Sequence, residues 1–351
     1  SPPRSPPAMA LRRVSVLAAH ATAGNDPHRS DKAVAESVRL PWSRFSARSG
    51  DSPLQFRTMK YELLDGGIAV ITRARPKVLN AVNFQVHCDM IAAFEEAELD
   101  DRVLAVVLTG AGRFFCSGAD VAGNKEGFDV PDPPRVKEIK AVLSQQDTYD
   151  SNTWSDVNMY DAWINFSKPL VIAVNGPCIG EGFTTLMLGD VIYSADSAYF
   201  WAPFARFGVV PEITSTVTLP QRVGPTTAAE MILLSKRKTA EEMKQAGLVN
   251  EVLPSGDGFL PAALPACRLR RRLRLQADCT PRRETKLGTQ GDPSVRLKAL
   301  RMFKGMLKPK EWREQMLAQN RSEQEMGRKR SRDGDQAKNL KFYAAQMPQK
   351  K

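Results

Sequence analysis

The sequence predicts an α/β protein, on three observations. Short apolar runs bounded by turn residues alternate with stretches of helical period, the runs are apolar on both faces like buried parallel strands, and capping residues stand at helix ends. Gly67-Ile-Ala-Val-Ile-Thr72, Val103-Leu-Ala-Val-Val-Leu-Thr109, Pro169-Leu-Val-Ile-Ala-Val174 and Val191-Ile-Tyr193 read as strands. Asn83 to Leu99 reads as a helix, with Phe84, Cys88, Ile91, Phe94 and Glu98 near one face. Thr239-Ala-Glu-Glu242 has the spacing of a capping box with Gly247 as a stop, and Pro225 to Ser235 reads as another helix. A charged helical stretch runs from about Pro293 to Gly327.

The chain has 351 residues, 50 basic and 39 acidic, and 42% are apolar. That supports a sizeable core and excludes a peptide hormone or a disulfide-stapled mini-protein. No apolar run approaches the roughly 18 residues of a membrane-spanning helix, so the chain reads as soluble. Charge is uneven. Residues 1–60 carry 10 basic and 4 acidic side chains, residues 61–267 carry 16 and 26, and residues 268–351 carry 24 and 9. The organisation expected is a basic, presequence-like extension over 1–53, a core over 54–267, and a basic insertion with a helical C-terminal segment over 268–351.

Cys88, Cys116, Cys178, Cys267 and Cys279 form no C-x-x-C pair and read as ordinary thiols of a reducing compartment, not as a disulfide framework or zinc site. His20 and His28 lie in the extension. Only His87 lies in the patterned region, where it reads as a helix-surface residue, so a histidine triad or multi-histidine metal site is nearly excluded. No metal site is expected.

Three loops hold the chemistry-bearing candidates. Arg113-Phe-Phe-Cys-Ser-Gly-Ala-Asp-Val121 and Asn175-Gly-Pro-Cys-Ile-Gly-Glu-Gly-Phe-Thr-Thr185 follow strands, and two such turns can aim backbone N–H groups into a cleft as an oxyanion hole. Each also reads as an ordinary strand-to-helix turn. No P-loop or dinucleotide fingerprint competes. In Phe200-Trp-Ala-Pro-Phe-Ala-Arg-Phe-Gly-Val-Val-Pro-Glu212 the carboxylate follows an apolar stretch, a setting that suits a proton carrier; a surface cap or ion pair is the alternative.

Taken in order, R-P-K-V-L-N-A-V-N (Arg75 to Asn83), F-C-S-G-A-D (Phe115 to Asp120), K-P-L-V-I-A-V-N-G-P (Lys168 to Pro177), G-D-V-I-Y-S-A-D (Gly189 to Asp196) and F-G-V-V-P-E (Phe207 to Glu212) resemble the crotonase, or enoyl-CoA hydratase/isomerase, superfamily over roughly residues 55–255. The resemblance implies a spiral of β-β-α units with a helical C-terminal segment, assembly as trimers or paired trimers, and acyl-CoA thioester substrates. It puts the oxyanion hole on the backbone N–H groups of Ala119 and Glu181. It puts CoA and substrate contacts on Lys77, Leu79 and Ala81 of the first motif, with Lys77 as phosphate partner, on Ser117, Gly118, Asp120 and Val121 of the second, and on Gly180.

In hydratases of this family two glutamates add water, and their places hold Thr184 and Phe204. The pattern Ala202-Pro-Phe-Ala-Arg-Phe-Gly-Val-Val-Pro-Glu212 resembles instead the Δ3,Δ2-enoyl-CoA isomerase branch, in which one glutamate shuttles a proton. The expected activity is therefore isomerisation of acyl-CoA thioesters in fatty acid β-oxidation, with Glu212 catalytic and Phe204, Phe207 and Val210 walling the acyl pocket. No separate cofactor is expected, coenzyme A being part of the substrate. Glu181 stands where an apolar residue or glycine is usual; a carboxylate pointing inward would oppose the enolate charge, but only the backbone is needed and the side chain can face solvent.

The alternative is a crotonase-fold structural subunit of a larger mitochondrial assembly, held through basic ends against acidic protein, anionic lipid or, less readily, RNA. The expected partners are thus an acyl-CoA and either two further copies or such an assembly. The basic stretch Met9 to His20 points to the mitochondrial matrix, with a disordered extension that carries no address as the alternative. Met347-Pro-Gln-Lys-Lys351 does not read as a peroxisomal S-K-L type address.

Overall fold

A computed structural model of the chain describes residues 55–121, 131–144, 159–264 and 293–332. All of them lie in the unit formed by residues 49–351. The extension over 1–53 and the basic run Arg268 to Arg283 lie outside the described residues.

Two sheets organise the chain. Six strands form the larger: β1 (Met59–Leu64), β2 (Ile68–Arg73), β3 (Ala105–Gly110), β4 (Leu170–Val174), β6 (Val191–Ala195) and β9 (Glu251–Leu253), in that order across the sheet. The β1–β2 hairpin is antiparallel and every later pairing is parallel. The smaller sheet joins β5 (Cys178–Ile179), β7 (Tyr199–Trp201) and β8 (Lys238–Thr239). Successive segments thus give one strand to the large sheet and one to the small sheet before a helix follows. β4, β5 and α4 (Glu181–Thr184) make one such unit, and β6, β7 and α5 (Phe204–Phe207) the next. This is the β-β-α coil expected from the motifs.

Parallel strands buried on both faces explain the continuous apolar runs. In β4 every residue is buried: Leu170, Ile172 and Val174 join the main core, while Val171 and Ala173 join a second cluster. The helix α9 (Phe259–Ala263) covers that second face through Phe259 and Ala263.

The long helix α1 (Phe84–Leu99) is capped by the Asn83 side chain, which accepts from the Val86 amide at 3.1 Å. Its far end receives the Lys168 ammonium, which donates to the Ala97 and Asp100 carbonyls at 2.6 and 2.7 Å; a cation at a helix C-terminus is favourable, and burial pulls this lysine's pKa down to about 8. The remaining helices are α2 (Pro134–Ser144), α3 (Met159–Asn165), α6 (Ser215–Val223), α7 (Pro225–Ile232), α8 (Ala240–Gln245), α10 (Pro293–Leu307) and α11 (Lys310–Arg332). The capping box of α8 is complete, and the C-terminal stretch breaks into two helices before Lys310. Lys304 of α10 ties that segment to the sheet, pairing with Asp190 at 2.9 Å and donating to the Lys168 carbonyl at 2.6 Å.

Candidate active site

The two glycine turns lie side by side. Cys116 and Cys178 form a parallel bridge, with the Ile179 amide on the Cys116 carbonyl at 2.9 Å. One step further, Gly118 (φ +88°) and Gly180 (φ +54°) face each other: a Cβ on Gly118 would meet the Ile179 carbonyl oxygen at 3.0 Å, and one on Gly180 would meet the Gly118 Cα at 3.7 Å. Positive φ and this close approach both select glycine. The residues that follow are the two proposed oxyanion donors.

Val82 exchanges hydrogen bonds with the residues on either side of Ala119, donating to the Gly118 carbonyl at 2.9 Å and accepting from Asp120 at 2.7 Å. In a parallel bridge that pattern turns the N–H of Ala119 away from Val82. The amide meets no acceptor among the described residues. Glu181 opens α4, so its N–H lies outside the helical ladder.

The Arg75 to Asn83 loop braces this arrangement. Leu79 and Asn80 adopt left-handed backbone (φ 57° and 55°), and Asn80 donates to the Ala111 and Phe114 carbonyls at 2.9 and 2.7 Å. Arg75 donates to the Ala81 carbonyl and forms a buried ion pair with Asp120 at 2.9 Å. Asp120, expected at the substrate, thus gives its carboxylate to the Arg75 guanidinium. Lys77 is exposed, Leu79 and Ser117 are partly buried, Ala81 and Gly118 are buried, and Val121 is 49% exposed. The Ser117 amide donates to the Leu79 carbonyl at 3.0 Å, so these loops form one ledge.

Glu212 is partly buried. It follows α5, whose Phe204 is buried, with Phe207 and Val210 partly buried and the Phe207 ring 6.4 Å from that of Trp201. Thr184 is fully buried, and its hydroxyl turns back to the Glu181 carbonyl at 3.2 Å. Neither Thr184 nor Phe204 supplies a carboxylate.

Two sequence expectations are corrected here. The Glu181 side chain does not face solvent: it is 2% exposed, and its Oε1 accepts from the Tyr160 hydroxyl at 2.8 Å. His87 is not on a helix surface. It is buried, its ring edge-on to Tyr160 at 6.2 Å, and burial lowers its pKa against the pull of the Glu181 charge. The first turns of α1 are packed on nearly all sides, so Gln85, His87 and Asp89 are all buried. Tyr160 escaped sequence reasoning, although Tyr160, Trp163 and Ile164 at i, i+3 and i+4 are the signal of a buried helical stripe.

Cys88, Cys116 and Cys178 are free and buried thiols, with burial pushing the Cys88 thiol up to about 12; Cys267 and Cys279 lie outside the described residues. Among the described residues no group of three or more His, Cys, Asp or Glu side chains is placed to hold a metal, and no helix is long and apolar enough to cross a membrane.

The α/β architecture is shared with known structures. A profile of the enoyl-CoA hydratase/isomerase family matches residues 64–274, and the chain belongs to that family. It is 36% identical over 190 residues to the mouse protein named enoyl-CoA delta isomerase 3, peroxisomal, covering 54% of this chain and 55% of that one. It is 34% identical over 205 residues to a probable enoyl-CoA hydratase of Rhodobacter capsulatus, covering 58% and 72%. The chain spans about half the length of the curated isomerases it matches. The crystal structure of an enoyl-CoA hydratase/isomerase from Pseudoalteromonas atlantica superposes with a TM-score of 0.60 at 24% identity, over 82% of this chain and 97% of that one, a likeness of fold.

Proposed function

We propose that this protein is a Δ3,Δ2-enoyl-CoA isomerase with Glu212 as its proton shuttle. The observation that carries the reading is a single partly buried glutamate after the apolar α5 segment, with Thr184 and Phe204 at the two places where a hydratase keeps its glutamates. Isomerisation needs one acid/base group. The carboxylate takes a proton from C2, and the C–H electron pair moves into the thioester, giving a dienolate whose oxygen is held by the amides of Ala119 and Glu181. The carboxylic acid then returns the proton to C4 and the double bond settles between C2 and C3. Each oxyanion donor of this kind contributes about 10²–10³-fold in rate. Phe204, Phe207 and Val210 keep water from the dienolate. Lys77, exposed at the rim, suits the phosphates of coenzyme A.

Purified protein given a 3-enoyl-CoA is expected to form the 2-enoyl-CoA, and Glu212→Gln to lose that activity. Formation of a 3-hydroxyacyl-CoA as the main product from a 2-enoyl-CoA defeats the reading in favour of a hydratase. Self-association is proposed as well: Met302, Phe303, Met306 and Leu307 of α10 are 56–78% exposed in the single chain, an apolar face that other copies would cover. Sedimentation at three times the 38.8 kDa of one chain fits a homotrimer, whereas recovery only in a larger particle fits the structural-subunit reading. The basic stretch Met9 to His20 supports a mitochondrial address, and import into isolated mitochondria tests it against the peroxisome.

A further inference from the structure

The turn that carries Glu212 is held in a conformation that its own residues disfavour. Ile213 and Thr214 both have φ +59°, the left-handed region that β-branched residues rarely enter, and both are buried. Thr214 occupies the N-cap of α6, yet its side chain makes no capping bond; its hydroxyl lies toward that of Thr218, 3.5 Å away. A backbone that its own side chains do not stabilise must be fixed from elsewhere.

The fixing group comes from the C-terminal helix. Oε1 of Glu323 in α11 accepts from the Thr216 amide at 3.1 Å and from the Thr216 hydroxyl. Gln319, one turn earlier on the same helix face, donates to the Thr216 hydroxyl oxygen at 2.9 Å. Glu323 is 2% exposed, so this is a buried carboxylate at the start of a helix, 107 residues away in sequence from the amide it accepts. Thr216 is the second residue of α6, where an N-cap side chain normally finds its amide donor. The helix start is in turn bonded to the site, because the Ser215 amide donates to the Glu212 carbonyl at 3.1 Å.

We infer that Glu323 is a positioning residue for the reaction, capping α6 in place of Thr214 and thereby fixing the Ile213–Thr214 turn that aims the Glu212 carboxylate. The inference rests on the proposed role of Glu212. It makes the docked C-terminal helix part of the catalytic apparatus of its own chain.

The test compares the full-length protein with Glu323→Ala and Glu323→Gln, measuring kcat and KM on a 3-enoyl-CoA and amide hydrogen exchange over residues 213–218. Misplacing Glu212 is expected to lower kcat of Glu323→Ala roughly 10²-fold with KM changed less than about twofold. Glu323→Gln keeps an oxygen for both Thr216 donors and should recover most of the lost kcat. Exchange of the Thr216 amide should rise at least about tenfold in Glu323→Ala while that of β4 stays unchanged. Wild-type kcat in Glu323→Ala overturns the inference, as does a loss of kcat that Glu323→Gln does not recover. If the wild-type protein proves inactive on 3-enoyl-CoA, the proposed function fails, and the exchange result alone decides the clamp: unchanged Thr216 protection overturns it. Should Glu323→Ala not fold, Thr216→Val removes the hydroxyl leg of the same clamp. There kcat should fall several-fold at constant KM, and an unchanged kcat contradicts the inference.

Discussion

The two sides of the site are built by different means. On the side proposed to hold the oxyanion, the turns at 116–121 and 178–182 are joined mainly backbone to backbone, facing glycines let them approach, and Asn80 and the Arg75–Asp120 pair brace them. On the glutamate side the turn after residue 212 is shaped by β-branched residues in left-handed backbone and held by side chains of α11, more than 100 positions on in the chain. A site held by main-chain geometry tolerates many side-chain changes and few changes at glycine. A site held by distant side chains does the reverse. The molecule joins one half of each kind, so its two halves should fail differently.

The largest effect is expected on the glutamate side. Glu212→Gln should lower kcat by about 10³-fold or more with the fold intact, since it removes the only proposed acid/base group; steady-state kinetics beside a melting curve check both statements. Next comes the main-chain side. Gly118→Ala places a Cβ at φ +88° and 3.0 Å from the Ile179 carbonyl oxygen, so activity and stability should fall together, with about 1–3 kcal/mol lost in chemical denaturation. If Gly118→Ala is as stable and active as the parent, the division between the two halves is wrong.

Tyr160→Phe probes the side-chain contact to Glu181, whose amide is the second proposed oxyanion donor. It removes the hydroxyl donor from the buried Glu181 carboxylate, and a loss of about 1–3 kcal/mol in stability is expected, with a smaller fall in kcat than for Gly118→Ala. The smallest effect is pH-dependent. Burial raises the pKa of Asp161 in α3 from 3.8 to about 6, against the attraction of Arg321 in α11. A carboxylate raised in the folded state adds stability that is fully present below pH 3.8 and lost as pH rises through 6. Asp161→Asn should therefore melt higher than the parent at pH 8, and the difference should close by pH 4.

The two glycine turns and the strands that lead into them were legible in the sequence, because glycine spacing and apolar runs are local signals. The strands around β2, β3, β4 and β6, the helix α1 and the Thr239 capping box all fall where periodicity and caps put them. The small sheet was not legible, since β5 and β8 are two residues long and offer no period to read. The environment of His87 was misread for a different reason. Around it on α1, Asp89 takes both the amide and hydroxyl of Thr58, at 2.8 and 2.7 Å, and Gln85 donates to Asp89 at 2.8 Å, so polar residues that mimic a solvated face are buried with partners. Glu323 lay in a charged helical stretch where nothing local separates a buried carboxylate from a solvated one. Its partner Thr216 is too distant in sequence for any pattern to join them.

The direct test of a one-carboxylate shuttle follows the hydrogen itself. A 3-enoyl-CoA deuterated at C2, converted by the protein in ordinary water, should yield 2-enoyl-CoA with a substantial share of the label at C4 of the same molecule, because Glu212 returns the hydrogen it removed before solvent replaces it. Product whose C4 hydrogen comes wholly from water, or a hydroxylated product, contradicts the account.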